Sequence, residues 1–234
     1  DPDAPASTIA HMLGDAQPVV VLTRGQTHFV EWPIIDLCGL ETTDVRLSKP
    51  DWLDEPTERL AAIFYTSGTT GMPKGVECAH AGYVNLARSY ADYFDFTPGY
   101  DATSLTSSLG YDGSISEMYS AWGSGCEVVL LTKDQVRSGP DLVPILKAAE
   151  VTAMFCPPVL LSTLTARPEH DLPYPICRYV IPAGEAFPPS LVEPWTRARR
   201  QIINTYGPTE ASTDTSRQSL RPGQPVTIGS PFAN

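Results

Sequence analysis

The sequence predicts an α/β fold in which layered, mostly parallel sheets are flanked by helices. Short apolar segments of strand length alternate with longer segments whose apolar residues recur at helical spacing, and this alternation is typical of α/β layers. Several predicted strands end in small or polar residues, at 66–68 (Thr-Ser-Gly), 183–185 (Ala-Gly-Glu) and 206–208 (Tyr-Gly-Pro). Because ligands bind outside the carboxyl ends of strands in open α/β sheets, these three ends indicate one shared cleft.

The first half of the chain contains strands that are recognised by their β-branched or apolar composition. The β-branched run at 19–23 predicts a buried strand, and the apolar run at 61–65 predicts a strand that leads into a Ser/Thr/Gly cluster. The segment 80–94 is predicted as a helix because its apolar residues lie on one side. In chain order, the predicted elements of this half are a helix at 8–13, strands at 19–23, 29–35 and 61–65, a helix at 80–94, a strand at 104–109, a helix at 114–122 and a strand at 128–131.

The second half continues the alternation with clearer start and stop signals. A helix at 141–150 begins near an Asp, and a strand at 151–156 is stopped by two prolines. A helix at 189–200 has Pro in its first turn and cations in its last turn, which suits the helix dipole. The remaining predicted elements are a helix at 160–164 and strands at 178–181 and 201–204.

Composition narrows the classes of protein to which the chain can belong. Its 234 residues carry a formal net charge of −11 and 42% apolar residues, as expected of a soluble globular protein. No apolar run is long enough to span a bilayer, and no secretory signal opens the sequence. The tight basic cluster of Arg197, Arg199 and Arg200 is interpreted as a solvated helix end. Nucleic acid and membranes are therefore not expected as partners.

The five cysteines are well separated and include no Cys-x-x-Cys pair, which argues against a zinc site and against a disulfide framework. They are interpreted as small buried hydrophobic residues of a protein in a reducing, cytoplasmic compartment. They stand at Cys38, Cys78, Cys126, Cys156 and Cys177.

The segment 65–75, with the sequence YTSGTTGMPKG, has the composition of a loop that holds a polyphosphate. Its hydroxyl side chains donate hydrogen bonds, its glycines allow turns that expose backbone N–H groups, and its lysine adds a mobile positive charge. The spacing matches neither a Walker A loop nor a dinucleotide-binding fingerprint. The candidate phosphate-binding residues are Thr66, Ser67, Gly68, Thr69, Thr70, Gly71 and Lys74.

Together with three further segments, this loop resembles the signature of the adenylate-forming superfamily, and in particular that of nonribosomal peptide synthetase adenylation domains. The string NTYGPTE at 204–210 is similar to the family's Tyr-Gly-x-Thr-Glu motif. The string YDGSISEM at 111–118 is similar to the aromatic-Asp-x-Ser-x-x-Glu-Met motif of amino-acid-activating members, and 183–185 to the family's adenine-wall segment. The motifs follow the family's order, and the resemblance covers nearly the whole chain, from about Ala6 to Asn234.

The resemblance also implies that residues 1–234 form only part of an adenylation domain, namely part of its large N-terminal subdomain. In the family, a ribose-binding Asp motif, a hinge and a small mobile C-terminal domain with a catalytic Lys follow the matched segment. We therefore expect the isolated fragment to adenylate poorly, because it would lack the domain that closes the site against water.

The resemblance implies a set of ATP-binding roles. Thr209 would donate to the α-phosphate, Glu210 would hold Mg²⁺, and Lys74 would contact the phosphates, so these three are the candidate catalytic residues. Tyr206 would offer a flat face to adenine, and Asn204 would bond its edge. The remaining residues implied for the nucleotide are Gly184, Glu185, Ala186 and Gly207.

The positions that match the family's acyl pocket begin with Asp112, which in amino-acid-activating relatives pairs with the substrate α-ammonium. Gly113 and Ala183 are small and leave room for a substrate. Asp214 would be a second acid near the pocket and favours a polar or cationic substrate. The other implied positions are Ser116, Val159, Ile181, Thr205 and Thr213.

The sequence leaves three functions open. The first is ATP- and Mg²⁺-dependent activation of an amino acid or other amine-bearing acid to an acyl-adenylate, for transfer to the phosphopantetheine thiol of a carrier-protein domain. The second is an acyl-CoA ligase or the adenylation part of a carboxylate reductase, which shares the ATP loop but does not need Asp112. The third is a nucleotide-binding fragment without catalysis. The adenylating interpretation requires residues 66–74 and 206–210 to face one another.

Overall fold

A computed structural model of the chain describes residues 4–25, 31–38, 56–67, 71–197 and 199–232. Short 3-10 turns lie at Gly139–Asp141, Pro189–Leu191 and Thr209–Ala211. None of the described helices has the length and apolarity that a membrane crossing requires. In the described residues the α-helices are Ala6–Ala16 (α1), His80–Tyr93 (α2), Gly113–Trp122 (α3), Lys133–Arg137 (α4), Leu142–Ala148 (α5), Pro158–Leu164 (α6), Pro168–Asp171 (α7) and Val192–Thr196 (α8).

The strands of the described residues form one large sheet and two small ones. In chain order they are Val21–Thr23 (β1), Ile34–Asp36 (β2), Leu60–Thr66 (β3), Lys74–Ala79 (β4), Ala102–Leu105 (β5), Glu127–Leu130 (β6), Ala153–Cys156 (β7), Tyr179–Pro182 (β8), Gln201–Tyr206 (β9), Ser216–Ser219 (β10) and Ser230–Pro231 (β11). The parallel pair β1–β2 and the antiparallel pair β3–β4 are the two small sheets.

The large sheet has the strand order β11-β10-β9-β8-β7-β5-β6. Strands β5 to β9 are mutually parallel, whereas β10 and β11 complete one edge in antiparallel orientation. The predicted fold class, a mostly parallel α/β sheet flanked by helices, is therefore confirmed. The carboxyl ends of β5, β7, β8 and β9 meet at one edge of the sheet, as ligand sites of this architecture require.

The two faces of the sheet are covered by two separate apolar clusters. Along β7, Ala153 and Phe155 face one cluster while Met154 and Cys156 face the other, because side chains alternate along a strand. Helices α5, α6 and α8 cover the Met154 face, and helix α2 covers the Phe155 face. The buried side chains on both faces explain why the central strands read as continuous apolar runs.

Four predictions of local structure need correction. The strand that was expected to be buried at 19–23 is Val21–Thr23, and none of its residues is buried.

The other three corrections concern a helix end, an arginine and a cysteine. The helix expected at 189–200 ends at Thr196. Arg200 is not solvated: it is buried and donates to the carbonyl oxygens of Pro168, at 2.9 Å, and Leu172. Its burial lowers the pKa of the guanidinium, and the carbonyl bonds replace the lost water at Nη2 only, since Nε and Nη1 are buried without a partner among the described residues. Cys38 is exposed rather than buried, although all five cysteines are free thiols.

Strand β4 was not predicted, and the strand expected at 29–35 lies partly outside the described residues. In β4, Lys74, Gly75 and Glu77 are exposed, and Cys78 is the buried residue of the strand. Its lysine, glycine and glutamate gave it the appearance of a loop, although it pairs along its whole length with β3.

Candidate active site

A two-stranded hairpin carries the predicted phosphate loop. Strands β3 and β4 pair antiparallel, with Thr66 opposite Lys74 where the loop leaves the sheet. Ser67, Gly71 and Lys74 are exposed, and Thr66 is half-buried. Gly71 has a φ of 87°, a conformation that favours glycine. Outside the described residues lie the predicted loop residues Gly68, Thr69 and Thr70.

Helix α1 contacts both ends of this loop. Nε2 of His11 lies 2.9 Å from the carbonyl oxygen of Pro73, the residue before β4. The Tyr65 hydroxyl is 2.8 Å from an Asp15 carboxylate oxygen and 3.2 Å from the carbonyl oxygen of Met12. Burial and the neighbouring Asp15 raise the pKa of Tyr65 to about 12, so its hydroxyl remains a donor at neutral pH. The helix therefore anchors the chain immediately before and after the loop.

Strand β9 ends in a tight turn that carries the second predicted nucleotide-binding segment. A Cβ at Gly207 would lie 1.5 Å from the carbonyl oxygen of Thr213, so a side chain does not fit there. Ser212 and Thr213 both have positive φ, and the N–H of Thr215 donates to the carbonyl oxygen of Tyr206 at 2.8 Å. These contacts fold the 3-10 turn back against the end of the strand.

The hairpin and the turn are in direct contact. The thiol of Cys78 donates to the carbonyl oxygen of Thr209, with the sulfur 3.6 Å away. At the start of α2, a Cβ on Gly82 would lie 2.7 Å from the Cβ of Ser212, so the two backbones pack closely. Lys74 lies four residues from Cys78 along β4, or about 13 Å at the usual strand rise. The two segments are thus on the same side of the molecule, with the loop projecting beyond the contact.

A cavity of about 1210 Å³ opens where the carboxyl ends of β5, β7, β8 and β9 meet. It gathers most of the positions predicted for adenine and acyl binding. As far as the described residues define the lining, it includes no Lys, Arg or His. The predicted residues in its lining are Asp112, Gly113, Ser116, Ala183, Gly184, Glu185, Ala186, Asn204, Thr205, Tyr206, Gly207, Thr209, Thr213 and Asp214.

Other predicted site residues lie away from this lining. Val159 is 55% exposed on α6, and Ile181 is fully buried in the apolar cluster under α2. Glu210 is exposed in the 3-10 turn. No group of three or more potential metal ligands occurs among the described residues. The described loop residues Thr66, Ser67, Gly71 and Lys74 remain on the hairpin.

Asp112 precedes the first turn of α3 and faces the cavity. It is 7% exposed, and no donor or cation among the described residues bonds its carboxylate. An unpaired carboxylate at a buried position is costly unless a cation occupies the site. Next to it, the Tyr111 ring packs against Gly113, and its hydroxyl would lie 2.9 Å from a Cβ on Gly184. The Asp112 segment and the predicted adenine wall are therefore neighbours.

A second buried acid, Glu117, ties α3 to the chain after β5. Its carboxylate accepts from the N–H of Thr106, from the N–H of Ser107 at 3.1 Å and from the Thr106 hydroxyl at 3.3 Å. Burial raises the pKa of Glu117 to about 7, although these hydrogen bonds partly oppose the shift. The glutamate fixes the helix that carries Asp112 relative to the sheet edge.

Asp214 lies beside three hydroxyl groups at another side of the cavity. Its Oδ2 accepts from the Tyr90 hydroxyl and, at 3.0 Å, from the Ser116 hydroxyl, which itself lies 3.0 Å from the Thr213 hydroxyl. Burial raises the pKa of Asp214, and the negative charge of Asp112 adds to the effect, whereas the hydroxyl groups oppose it. The two acids therefore belong to one electrostatic environment.

Sequence reasoning missed several residues that shape this site. The contacts of His11 with Pro73 and of Tyr65 with Asp15 join residues fifty or more positions apart, and no motif marks them. Tyr90 was predicted only as an apolar helix residue. Glu117 stood inside a quoted motif, and a glutamate on the buried side of a short helix was the available signal.

Asn204 has a structural hydrogen bond as well as a predicted role in binding adenine. Its amide Nδ2 donates to the carbonyl oxygen of Thr227 at 2.9 Å, which holds the residue at the cavity wall. The side-chain carbonyl oxygen and the second N–H of the amide remain for a ligand. That Asn204 bonds the edge of adenine therefore stays a prediction, and one of its two amide N–H donors is already used.

The sequence of the chain is similar to segments of very long peptide synthetases. Tyrocidine synthase 2 of Brevibacillus parabrevis is 31% identical to the chain over 240 residues, covering 100% of the chain and 6% of the relative. The chain therefore spans a small part of the length of this curated relative.

Solved structures share the fold. The nonribosomal peptide synthetase FmoA3 in its AMPPNP-bound form has a TM-score of 0.85 and 23% identity, over 99% of the chain and 26% of that protein. PA1221, described as an NRPS protein containing adenylation and PCP domains bound to a vinylsulfonamide inhibitor, has a TM-score of 0.76 and 23% identity, over 94% of the chain and 38% of that protein. A family model described as AMP-binding enzyme matches residues 1–234. On that match, the chain belongs to the AMP-binding enzyme family.

Proposed function

We propose that this chain is part of the large N-terminal subdomain of an enzyme that uses ATP to activate an amino acid as an acyl-adenylate. The observation that carries the proposal is the contact between Cys78 on the phosphate hairpin and Thr209 in the turn after β9. It brings the two candidate nucleotide segments together beside a cavity that contains a buried, unpaired Asp112.

The reaction joins a carboxylate oxygen of the amino acid to the α-phosphorus of ATP. The bond between the α-phosphorus and the oxygen that bridges to the β-phosphate breaks, and pyrophosphate leaves with the electron pair. Negative charge develops on the phosphoryl oxygens, which fixed donors stabilise. The Thr66 and Ser67 hydroxyls, the Lys74 ammonium and the Thr209 hydroxyl are the donors that we assign to this role.

Mg²⁺ fits the residues present because it is usually held by one or two carboxylates together with phosphate oxygens and water. Glu210 is the exposed carboxylate of the turn that contacts the hairpin, so it is our candidate ligand. Bound there, the ion would neutralise charge on the phosphates. Tyr206, which is 51% exposed, and the backbone at 184–186 would enclose adenine.

Asp112 would bind the α-ammonium of the substrate. Its buried carboxylate has no partner among the described residues, and a charge-assisted hydrogen bond to an ammonium group would compensate its desolvation. This role distinguishes an amino acid from an acid that lacks an amine. The acyl group would then pass to the phosphopantetheine thiol of a carrier domain, and the pairing of adenylation and PCP domains in PA1221 supports that partner.

The proposal is tested by ATP–pyrophosphate exchange with the complete enzyme and a panel of amino acids, each paired with the acid that lacks the amine. We expect exchange with at least one amino acid and loss of that exchange in Asp112→Ala. Exchange with amine-free acids that is indifferent to Asp112→Ala would instead identify an acyl-CoA ligase or a carboxylate reductase. If no acid supports exchange and calorimetry with a non-hydrolysable acyl-adenylate analogue shows no heat of binding, the catalytic proposal is wrong.

A further inference from the structure

We propose that the acyl pocket selects amino acids whose side chain ends in a second positive charge, with Asp214 as the group that recognises it. This inference rests on the proposed function and names the substrate class of the same site. The four acids in the cavity lining are Asp112, Glu117, Glu185 and Asp214, and the described part of the lining contains no Lys, Arg or His to balance them. A substrate with a single ammonium group would leave most of this charge uncompensated.

The surroundings of Asp214 suit a cation better than an apolar side chain. Its Oδ2 is bonded by Tyr90 and Ser116, so the carboxylate is held in place, yet no ion pair among the described residues includes it. Glu117 differs, because two backbone N–H groups already bond its carboxylate. Glu185 differs too, because it is exposed to water. Besides Asp112, Asp214 is therefore the acid of the lining that is neither exposed to water nor bonded by backbone N–H groups.

The two acids lie close enough for one substrate to contact both. Ser116 lies one helical turn after Asp112, so their Cβ atoms are about 5–6 Å apart, and Asp214 Oδ2 is 3.0 Å from the Ser116 hydroxyl. The negative charge of Asp112 also acts on Asp214. An extended side chain of three methylene groups spans roughly 6 Å at ordinary bond lengths, and this is our choice of length for the test.

Burial raises the pKa of Asp214, so the site makes ionisation of this carboxyl less favourable than it is in water. A cation in contact with it favours the ionised form and gains a charge-assisted hydrogen bond. A neutral hydroxyl or amide gains only an ordinary hydrogen bond, and an apolar terminus leaves the polar cluster without a partner. The order of preference is therefore ammonium first, hydroxyl second and methyl last.

The test is ATP–pyrophosphate exchange by the complete enzyme with three substrates of one chain length: L-ornithine, 5-hydroxy-L-norvaline and L-norvaline. We expect kcat/KM for ornithine to exceed that for norvaline by roughly 10- to 100-fold, the effect of a hydrogen bond to a charged group. Asp214→Asn should reduce this ratio toward one. The matched control is Asp92→Asn, the same change on the exposed side of α2, which should leave the ratio as it is.

The outcomes separate this inference from the proposed function. Equal exchange with ornithine and norvaline, or a preference for ornithine that survives Asp214→Asn, overturns the selection of a cation but leaves amino-acid activation intact. Hydroxynorvaline as the best substrate also overturns it, in favour of a neutral hydroxyl. Absence of exchange with every amino acid overturns the proposed function itself. Circular dichroism and thermal unfolding of Asp214→Asn show whether the variant is folded, and Ser116→Ala, which keeps the carboxylate but removes one donor to it, should reduce the ratio less.

Discussion

The sulfur of Cys78 lies 3.6 Å from the carbonyl oxygen of Thr209, although the two residues are 131 positions apart in the chain. This contact joins the base of the phosphate hairpin to the turn after β9. A single triphosphate can reach both segments only if they share one side of the molecule. The contact between these two residues therefore places the two candidate nucleotide segments on one side of the molecule, as the proposed adenylation requires.

Gly82 offers the most direct test of that geometry. We expect Gly82→Ala to raise the KM for ATP several-fold, because its Cβ would meet Ser212 Oγ and so separate α2 from the turn. Overpacking of this kind costs about 1–3 kcal/mol of unfolding free energy. The measurements are steady-state kinetics and chemical denaturation. Gly14→Ala is the control, since nothing lies within 4 Å of its added Cβ, and an unchanged KM in both variants would contradict the predicted role.

Helix α1 should affect ATP binding without affecting acid binding. Tyr65→Phe removes the hydroxyl that bonds Asp15 and Met12 beside the loop. One such hydrogen bond is worth about 0.5–1.5 kcal/mol, so the KM for ATP should rise roughly 2- to 10-fold. The KM for the acid should not change, because none of the acyl positions lies on α1 or on the hairpin. Tyr100→Phe provides the same change at a residue that is 57% exposed, and an equal shift in both KM values would refute an effect specific to the loop.

Glu117 should make the stability of the protein fall as the pH rises. Its pKa is about 7 in the folded chain against an ordinary value of 4.5, so the folded state binds more protons between these values. The contribution of Glu117 to the stability is therefore greatest below about pH 4.5, declines between pH 4.5 and about 7, and levels off above that. The difference of about 2.5 in pKa corresponds to about 3 kcal/mol.

Thermal unfolding of wild type and Glu117→Gln between pH 5 and pH 8 measures this contribution. The glutamine does not titrate, so the stability deficit of the variant should shrink as the pH rises. Asp214 also has a raised pKa and contributes a slope of the same sign, but it is present in both proteins and cancels in the comparison. Parallel pH profiles for the two proteins would show that Glu117 does not titrate in this window.

Arg178 and Asp101 form a buried ion pair, and removing one partner alone should lower the free energy of unfolding considerably. Nε and Nη2 of Arg178 donate to the two Asp101 oxygens at 3.0 and 2.8 Å, and Asp101 is 2% exposed. Arg178→Met should cost about 3–5 kcal/mol of unfolding free energy, because it leaves a buried carboxylate without its partner. Denaturant titration measures the loss, and a cost below about 1 kcal/mol would contradict it.

The same pair gives a pH dependence of opposite sign to that of Glu117. Burial alone would raise the pKa of Asp101, but hydrogen bonds from Arg178, Thr152 and Thr97 hold it below its usual value. The pair therefore stabilises the fold above about pH 4, and this contribution is lost as the pH falls through the lowered pKa. The stability gap between wild type and Arg178→Met should narrow in acid.

The sequence pattern predicted the central sheet well because β7 and β8 are buried on both faces and read as uninterrupted apolar runs. It failed at β4, where cross-strand pairing with β3 overrides a polar, glycine-containing sequence. It also extended α8 to Arg200, because helical spacing gives no sign that a guanidinium will turn inward to bond two carbonyl oxygens.

Local strings correctly indicated which residues gather at the cavity, as at Asp112 and at 206–209, which line it. The contacts that hold those segments in place were not predictable from the sequence. The bond between His11 and Pro73 depends on how a distant helix docks, and the hydroxyl cluster around Asp214 joins α2, α3 and the turn after β9. Such contacts are set by tertiary packing, which a periodicity does not encode.

The hairpin of β3 and β4 is a sheet of its own, hydrogen-bonded to neither of the other two. The side chains that would discriminate among acids sit instead on one continuous stretch from α3 to the turn after β9. A chimera that exchanged this stretch between relatives would therefore also exchange the residues implied for adenine, at 183–186 and 204–209, while the hairpin stayed with the recipient. The seam that it must preserve includes the contact of Cys78 with Thr209 and the packing of α2 on the Phe155 face of the large sheet.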